Sequence, residues 1–465
     1  RSDRVLGYGT DHGSLRLAGP AKSISFLHGN GTFGQMPYDG RIMAFTTTFF
    51  RGSTRLAFDC VEGVNRIVED MHQSIAASAS PLAWMSREPG RAHGRISSSV
   101  YSIIRGVNGT LRAGSDQLYQ WFPGEQGDGS ESVKEMRLAA ALNGAFGDHL
   151  EDSGNALAIP MALISAGKTL SPERAALARR LPRASAHPVV FVHGLGLSEH
   201  SWNPRGEAGI GECLEQELDV TLVYLRYNTG RHISTNGREL AELLERLCAN
   251  WPVPVESLTL IGHSMGGLVI RSACWYAEQA EAHWLGSLKN VVCLGTPHHG
   301  SPLEKAGHVL DLALRRIPHA NPLAVGRARS AGIKDLRYGN LLDEDWSDRD
   351  SGRFEPDARR RVPMLEGVSY YFAAATVGPD ENVLSGKLLG DLLVRLGSAT
   401  GKHRDELRTL NIDPQNCRVF CEKNHFELLS DEAVHRQVTE WISQALDSKW
   451  PGPARRSGNL RRQWA

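Results

Sequence analysis

Apolar runs and helical apolar stripes alternate along residues 188–448. Runs typical of strands buried on both faces occupy residues 188–192, 220–227, 258–261, 290–294, 369–377 and 417–421. Between or after these runs, apolar residues recur at the spacing of one helix face, as in residues 236–250 and 432–446. Strands that alternate with helices predict a mostly parallel central sheet with helices on both faces. The pattern therefore predicts an α/β fold for this region.

The rest of the chain has a different pattern. Residues 1–55 are rich in Gly, Ser and Thr, and residues 56–187 carry helical apolar stripes that predict a mainly helical extension and a linker. We expect these stripes to pack in a core, because exposed apolar patches of that size are rare. A surface for a membrane or a partner is the alternative. Residues 155–164 predict an extended segment, with Pro160 marking an edge. Residues 303–367 interrupt the strand–helix alternation and predict a cap or lid over the strand ends. Residues 449–465 form a basic tail that predicts disorder.

A glycine motif near the start of the chain matches the spacing of a dinucleotide-binding loop. It reads Gly-Asn-Gly-Thr-Phe-Gly and occupies residues 29–34. A dinucleotide-binding motif opens a helix, whereas residues 36–40, Met-Pro-Tyr-Asp-Gly, do not favour one. We therefore interpret these glycines as a turn.

Charge and cysteine content narrow the range of functions. The 465 residues include 52 Lys and Arg against 52 Asp and Glu, so no overall charge draws the chain to nucleic acid. The seven cysteines are irregularly spaced, which argues against a zinc site and favours a reducing, cytoplasmic location. No apolar run is long enough to span a bilayer. Because the sequence begins at Arg1, export after removal of a leader stays an alternative.

The most informative stretch is Gly262-His263-Ser264-Met265-Gly266, which joins a strand-like run to a helix-like run. A serine on a sharp strand-to-helix turn has strained backbone, and glycines on either side avoid clashes with it. The turn exposes the hydroxyl, and the following helix N-terminus favours developing negative charge. This context predicts that Ser264 is a nucleophile. An ordinary glycine-rich turn is the alternative interpretation.

A serine nucleophile needs a general base, and an acid must orient that base. His425 follows the last predicted strand, so it would lie at the same sheet edge as Ser264 and is the best candidate for the base. The acid is less well defined. Asp391 has an apolar local sequence that would bury it, whereas Asp380 and Glu381 lie nearer the end of the preceding strand.

Two backbone N–H groups are expected to form an oxyanion hole. One belongs to Met265, directly after the nucleophile, and the other to Leu195, in the loop after the strand at 188–192. His193 and Gly194 precede Leu195, and they let the backbone turn close to a substrate carbonyl. A tight turn without a catalytic role is the alternative.

Five strings resemble the lipase-like α/β-hydrolases, including bacterial true lipases and GPI inositol-deacylase-like proteins. They are VVFVHGLG, LIGHSMGGLV, CLGTPHHGSPLE, GDLLV and KNHFELLSDEAV. The resemblance covers residues 188–448 and implies the α/β-hydrolase fold. In that family the Asp of a GDGLV-like string is the triad acid, and the His of an NH-hydrophobic-acid string is the base. The resemblance therefore implies Asp391 and His425 for these roles, with Leu392 where the family usually has Gly.

The same resemblance raises the question of a metal. Some bacterial true lipases hold calcium near the histidine loop, and Glu427 stands where one of their ligands, an Asp, would be. No second ligand is evident in the sequence. We therefore expect no cofactor, with calcium as the alternative.

Together these motifs predict a serine hydrolase that cleaves carboxylic esters through an acyl-enzyme intermediate. The resemblance implies a lipid or other acyl ester as substrate, which allows peripheral association with a membrane. Acyl transfer or thioester hydrolysis would use the same triad, and a catalytically silent binding protein could keep the same fold. If the cap at 303–367 moves, it would control access of long substrates; a fixed insertion is the alternative.

Overall fold

The structure is a computed structural model that describes residues 23–26, 34–37, 52–56, 59, 133–203, 208–301, 330–347, 359–380 and 390–447. Its strands are β1 (Ser23–Phe26), β2 (Gly34–Pro37), β3 (Ala162–Ser165), β4 (Lys168–Leu170), β5 (Pro188–Val192), β6 (Thr221–Arg226), β7 (Leu258–His263), β8 (Leu288–Leu294), β9 (Ser369–Thr376) and β10 (Cys417–Cys421).

The helices alternate with these strands. They are α1 (Val133–Asp152), α2 (Arg174–Arg180), α3 (Ile210–Glu217), α4 (Ile233–Asn250), α5 (Met265–Gln279), α6 (Ala331–Tyr338), α7 (Leu396–Ala399) and α8 (Glu432–Asp447). Short 3-10 helices lie at Glu199–Trp202, His283–Gly286, Asp343–Asp345, Glu406–Arg408, Pro414–Asn416 and Glu427–Leu429.

Strands β3 to β10 form one sheet in the order β10-β9-β8-β7-β5-β6-β3-β4. Neighbours from β10 to β6 run parallel, and β3 pairs antiparallel with β6 and with β4. Val192 of β5 lies opposite Gly262 of β7, so the loops after these two strands begin side by side. A mostly parallel sheet flanked by helices confirms the predicted α/β fold.

Helices cover both faces of this sheet, because successive strand side chains point to opposite faces. Val190 of β5 packs in one core with Leu244 of α4. The adjacent Phe191 packs in a second core with Val438 of α8. All five residues of β5 and all six of β7 are buried, which explains why both strands are continuous apolar runs in the sequence.

The sheet begins before the domain boundary predicted at residue 188. Strands β3 and β4 precede that boundary and extend the sheet beyond β6. The prediction assigned both strands to the mainly helical extension, with residues 155–164 extended but outside the sheet, because strands of four and three residues are too short to show a clear alternating pattern. Residues 139–147 of helix α1 are also all buried. The hydrolase-like unit therefore includes residues that the apolar pattern assigned to a separate region.

The predicted cap is described only in part, since residues 302–329 and 348–358 lie outside the described residues. Its described part is fixed to helix α4. Asp335 of α6 is 1% exposed, and its Oδ2 accepts a hydrogen bond from Ile233 N at 2.9 Å. His232 stacks on Trp346 with ring centroids 3.6 Å apart. This part of the cap is thus an integral piece of the core, and movement of the remainder stays a prediction.

Two further predictions concern the ends of the chain. Strand β2 begins at the last glycine of the motif at 29–34 and pairs antiparallel with β1, where a dinucleotide-binding motif would need a helix. The basic tail at 449–465 lies outside the described residues. Within the described residues, no helix combines the length and apolarity that crossing a membrane requires.

Candidate active site

Ser264 lies at the turn between β7 and α5, with a φ of 54° and a ψ of −121°. Such a conformation costs about 1–3 kcal/mol for a residue with a side chain, so it persists only where the surroundings impose it. Ser264 N donates to Leu294 O at 2.8 Å, and Gly267 N donates to Ser264 O at 3.2 Å. The serine is partly exposed although both of its neighbours are buried. The turn therefore presents the hydroxyl in the way that a nucleophile requires.

The glycines around Ser264 are required by close backbone contacts. A Cβ atom at Gly262 would lie 2.5 Å from Gly267 N, and one at Gly266 would lie 2.1 Å from Val192 O. Both distances are far shorter than van der Waals contact. The sharp turn thus depends on the absence of side chains at both positions, as the sequence motif indicates.

His425 and Asp391 form a buried pair at the same sheet edge, in the loops that follow β10 and β9. His425 Nδ1 lies 2.6 Å from Asp391 Oδ2, and the two residues are 2% and 1% exposed. A carboxylate only accepts hydrogen bonds, so Nδ1 carries the proton and a neutral ring has an unprotonated Nε2. Asp391 Oδ1 accepts from Leu393 N at 2.9 Å and from Val394 N at 2.7 Å. These bonds fix the carboxylate against the imidazole.

The alternative acids occupy other positions. Asp380 is exposed, and Glu381 lies outside the described residues. The structure therefore brings Asp391, and not Asp380, to His425. Leu392 has a φ of 79°, a conformation that favours glycine, which is the residue that the resemblance leads one to expect there.

The loop after β5 passes directly beside the nucleophile. A Cβ atom at Gly194 would lie 3.0 Å from Ser264 Cβ. His193 is fully buried and stacks on Tyr227 with ring centroids 4.4 Å apart, and the Tyr227 hydroxyl donates to His193 O at 2.7 Å. Burial lowers the pKa of His193 to about 4, so the ring is neutral at pH 7. The next residue, Leu195, lines the cleft in front of Ser264.

His263, directly before the nucleophile, contacts the loop of the candidate base. Its Nε2–H donates to His425 O at 3.2 Å, and the two rings lie 4.8 Å apart. Burial, with the charge of His425 as a smaller cause, holds the pKa of His263 well below its usual value. A neutral His263 can thus fix the backbone of His425. Met265, the second predicted oxyanion residue, is the first residue of helix α5.

Ser264, His425 and Leu195 line one open cleft. Its lining is mainly apolar. The apolar residues are Leu195, Leu197, Pro297, Leu336, Leu393, Val394 and Phe426. A cleft with few polar groups beside a nucleophile suits a substrate with an apolar part.

Sequence reasoning missed two residues that support the base. Gly295, after β8, has a φ of 59°, and a Cβ there would lie 3.0 Å from His425 Nδ1. The Ser301 hydroxyl donates to Leu393 O, in the loop that carries the candidate acid. A glycine directly after a predicted strand was the available signal for the first, whereas no local pattern marks the second.

Glu427, the residue at which calcium was the alternative, contacts the backbone of its own loop. Its Oε2 accepts a hydrogen bond from Asn424 N at 2.6 Å, which closes the loop that carries His425. The described residues hold no group of three or more His, Cys, Asp or Glu side chains that could bind a metal ion. The six cysteines among them are free thiols. Calcium at Glu427 therefore stays an alternative to the expected absence of a cofactor.

A mostly parallel sheet with a serine at a strand-to-helix turn, and with an Asp–His pair at the same edge, defines the α/β-hydrolase fold. Residues 183–320 match the family model of the PGAP1-like alpha/beta domain. This match and the observed fold confirm the resemblance to lipase-like α/β-hydrolases that the motifs indicate. A sequence comparison with curated proteins finds no match.

Solved structures of hydrolases are similar to the chain at low identity. A lipase of Bacillus licheniformis, BlEst2 in its mature form, is 18% identical over 56% of this chain and 91% of that one, with a TM-score of 0.35. EstA from Clostridium botulinum is 14% identical over 56% and 87%, with a TM-score of 0.32. YbtT, a type II thioesterase from the yersiniabactin pathway, is 16% identical over 57% and 92%, with a TM-score of 0.31. At such values these similarities carry no argument about activity.

Proposed function

We propose that the protein is a serine hydrolase that cleaves carboxylic esters, with Ser264 as nucleophile, His425 as base and Asp391 as acid. The observation that carries the proposal is the buried Asp391–His425 hydrogen bond, at 2.6 Å, beside a cleft that also holds the strained Ser264. A nucleophile, an oriented base and a buried acid at one sheet edge are the groups that acyl transfer to serine requires.

In the proposed first half-reaction, Ser264 Oγ attacks the ester carbonyl carbon and His425 Nε2 takes the hydroxyl proton. The resulting imidazolium is stabilised by the Asp391 carboxylate at Nδ1. The N–H groups of Leu195 and Met265 are proposed to stabilise the oxyanion. Collapse of the tetrahedral intermediate breaks the ester C–O bond, and His425 gives its proton to the leaving alcohol.

In the second half-reaction, a water molecule takes the place of the alcohol. His425 removes a proton from this water, and the oxygen attacks the acyl carbon on Ser264. A second tetrahedral intermediate forms and collapses. It releases the carboxylic acid and returns the proton to Ser264 Oγ, which restores the enzyme.

The apolar lining of the cleft supports an acyl chain as the recognised part of the substrate. Leu197, Leu336 and Phe426 offer aliphatic and aromatic contact without a buried charge. Burial of each methylene contributes about 0.8 kcal/mol. We therefore expect kcat/KM to rise with acyl length up to the limit of the cleft, and a lipid ester is the proposed natural class.

The test is the rate of hydrolysis of p-nitrophenyl esters of increasing acyl length by the wild type and by Ser264→Ala. We expect the wild type to cleave them and the variant to lose turnover by about a millionfold, because the nucleophile of a triad is removed. Circular dichroism should show an unchanged fold. Activity of the variant near that of the wild type would overturn the serine mechanism. The parallel use of acyl thioesters would show whether thioesters are preferred.

A further inference from the structure

Helix α1, which lies N-terminal to the matched family domain, contacts the loop that is proposed to form the oxyanion hole. Gly144 of α1 faces Gly196, the residue after Leu195. A Cβ atom at Gly144 would lie 2.8 Å from Gly196 Cα and 2.9 Å from Gly196 N. Backbone meets backbone at this point, with no flexible side chain that could move aside. The position of Gly196 is therefore coupled directly to that of the helix.

Gly196 is also held by a hydrogen bond to the loop after β6. Gly196 N donates to Thr229 Oγ1 at 3.0 Å, and Thr229 is 1% exposed. Gly196 itself has a φ of 66°, which only glycine adopts at little cost. The backbone after Leu195 is thus fixed by its contact with Gly144 and by its hydrogen bond to Thr229.

Helix α1 is itself fixed by contacts with the loop after β6. Asn228 Nδ2 donates to Gly147 O at 2.8 Å. A Cβ atom at Gly230 would lie 2.1 Å from Asn143 O, so this contact is also backbone against backbone. The helix has a kink at Phe146, where φ is −135° and ψ is 16°. The kink lies between Gly144 and Gly147, the two glycines that touch the loops.

The described part of the cap contacts both helix α1 and Met265. The Ser330 hydroxyl donates to Gly144 O at 2.7 Å, and Ala331 N donates to Asp148 Oδ2 at 2.8 Å. A Cβ atom at Gly332 would lie 3.0 Å from Met265 Cε. Leu195 thus precedes a residue that contacts helix α1, and Met265 contacts the described part of the cap.

The two glycines are unfavourable for the helix itself. A glycine within a helix lowers its stability by about 1 kcal/mol relative to alanine. At positions 144 and 147, neighbouring backbone and Asn228 come too close for a side chain. This explains why glycine occupies both positions although it lowers helix stability. Across the kink, both glycines contact the loops that follow β5 and β6.

We propose that Gly144 and Thr229 are positioning residues for ester hydrolysis, because they set the place of the Leu195 N–H in the oxyanion hole. The inference rests on the proposed function and adds a role for helix α1. Neither residue touches the substrate. Each acts through the backbone of Gly196.

The experiment compares Gly144→Ala and Thr229→Val with the wild type. The first variant adds a methyl group that must push Gly196 away, and the second removes the acceptor of its N–H at nearly constant volume. Loss of a whole oxyanion donor costs about a hundred- to a thousandfold in kcat, and displacement of one should cost at least about tenfold. We expect KM for a short p-nitrophenyl ester to stay within about threefold.

The inhibition constant of a ketone that becomes tetrahedral on the enzyme distinguishes positioning from a general loss of stability. An acyl trifluoromethyl ketone forms a hemiketal oxyanion with the serine, so its inhibition constant should rise by the same factor as kcat/KM falls. Gly286→Ala is the matched control, since a Cβ there meets no atom within 4 Å. It should leave both constants unchanged.

The outcomes separate the two proposals. If the wild type shows ester hydrolysis that depends on Ser264, but kcat and the inhibition constant of folded Gly144→Ala or Thr229→Val stay within twofold of the wild type, the inference about helix α1 is overturned alone. If Gly144→Ala does not fold, Thr229→Val decides the question. An inactive wild type would overturn the proposed function and this inference with it.

Discussion

The two carboxylate oxygens of Asp391 contact different parts of the candidate site. One carboxylate oxygen accepts two backbone N–H bonds from its own turn, and the other lies 2.6 Å from His425 Nδ1. His425 N also donates to Asp391 O at 3.2 Å. The loop after β9, which carries Asp391, and the loop after β10, which carries His425, are therefore joined by a backbone hydrogen bond as well as by the side-chain bond.

This arrangement predicts different results for the two candidate acids. Asp391→Asn should lower kcat by about ten-thousandfold, because the amide favours the wrong tautomer of His425 and no longer stabilises its cation. Asp380→Asn should stay within about threefold of the wild type, since Asp380 is exposed and His425 Nδ1 is bonded to Asp391. Steady-state kinetics on one short ester provide the measurement. Equal losses, or a larger loss for Asp380→Asn, would contradict the assignment.

Among the individual residues, the sequence could locate those that a local pattern marks. Ser264 is marked by the strand before it and the helix after it, and His425 by the strand end that it follows. Position alone could not separate Asp391 from Asp380. That choice depends on how the loop after β9 folds back to His425, which is a tertiary contact without a local signal.

At the scale of elements, the short strands β3 and β4 complete the sheet. Leu163 and Leu170 are 1% and 3% exposed and belong to the same core as β5 and α4. β3 pairs with β6, so its removal would expose the unpaired edge of that strand. The hydrolase unit should therefore not fold when it is cut at the boundary suggested by the apolar pattern.

Truncation tests this statement. A protein of residues 183–465 should be insoluble or lack a cooperative thermal transition, whereas a protein of residues 51–465 should keep the transition of the full chain. The second keeps the Asn155 Nδ2 bond to Gly52 O at 3.0 Å and the whole of α1. Differential scanning calorimetry and size-exclusion chromatography would show the outcome. A folded, active 183–465 protein would mean that the N-terminal elements are dispensable.

Long, strongly periodic elements were predictable, whereas the place of the short strands β3 and β4 in the sheet and the full length of helix α1 were not. Strands β5 and β7 are apolar throughout because both faces are covered. In helix α1, the glycines at 144 and 147 lower helix propensity, and their reason lies in loops far away in sequence. Such reasons become visible only when the packed structure is known.

At the scale of the whole molecule, three buried histidines and one partly buried histidine are neutral rings at pH 7. Burial lowers the pKa of His193 and of His299 to about 4, and it holds those of His263 and His298 well below the usual value of 6.5. In the unfolded chain these groups bind a proton near pH 6.5. Between about pH 6.5 and 4, the unfolded state therefore binds more protons than the folded state.

The protein should accordingly lose stability as the pH falls from 6.5 towards 4. Each fully buried histidine contributes up to about 1.4 kcal/mol of lost stability per pH unit in this window. Urea unfolding at pH 7.5, 6 and 5 would measure the effect, with His299→Gln expected to reduce it and His283→Gln, at a side chain that is 96% exposed, expected not to. A constant unfolding free energy from pH 7.5 to 5 would contradict this prediction.

The α/β architecture as a whole followed from the sequence because strand and helix periods alternate over a long region. What the sequence did not contain was the relation of that region to residues before 188. The contacts of α1 with Gly196 and with Asn228 join segments about 50 and 80 positions apart in the chain. A pattern read along the chain cannot locate contacts of this kind.

The most direct test of the central claim is covalent labelling of the nucleophile. Wild-type protein treated with a fluorophosphonate should gain one adduct per chain, located on Ser264 by tandem mass spectrometry of the peptide, and an excess of a cleavable ester should slow the reaction. Ser264→Ala should gain none. An active wild-type enzyme that carries no adduct on Ser264, or an adduct on another residue that accounts for the loss of activity, would contradict the account.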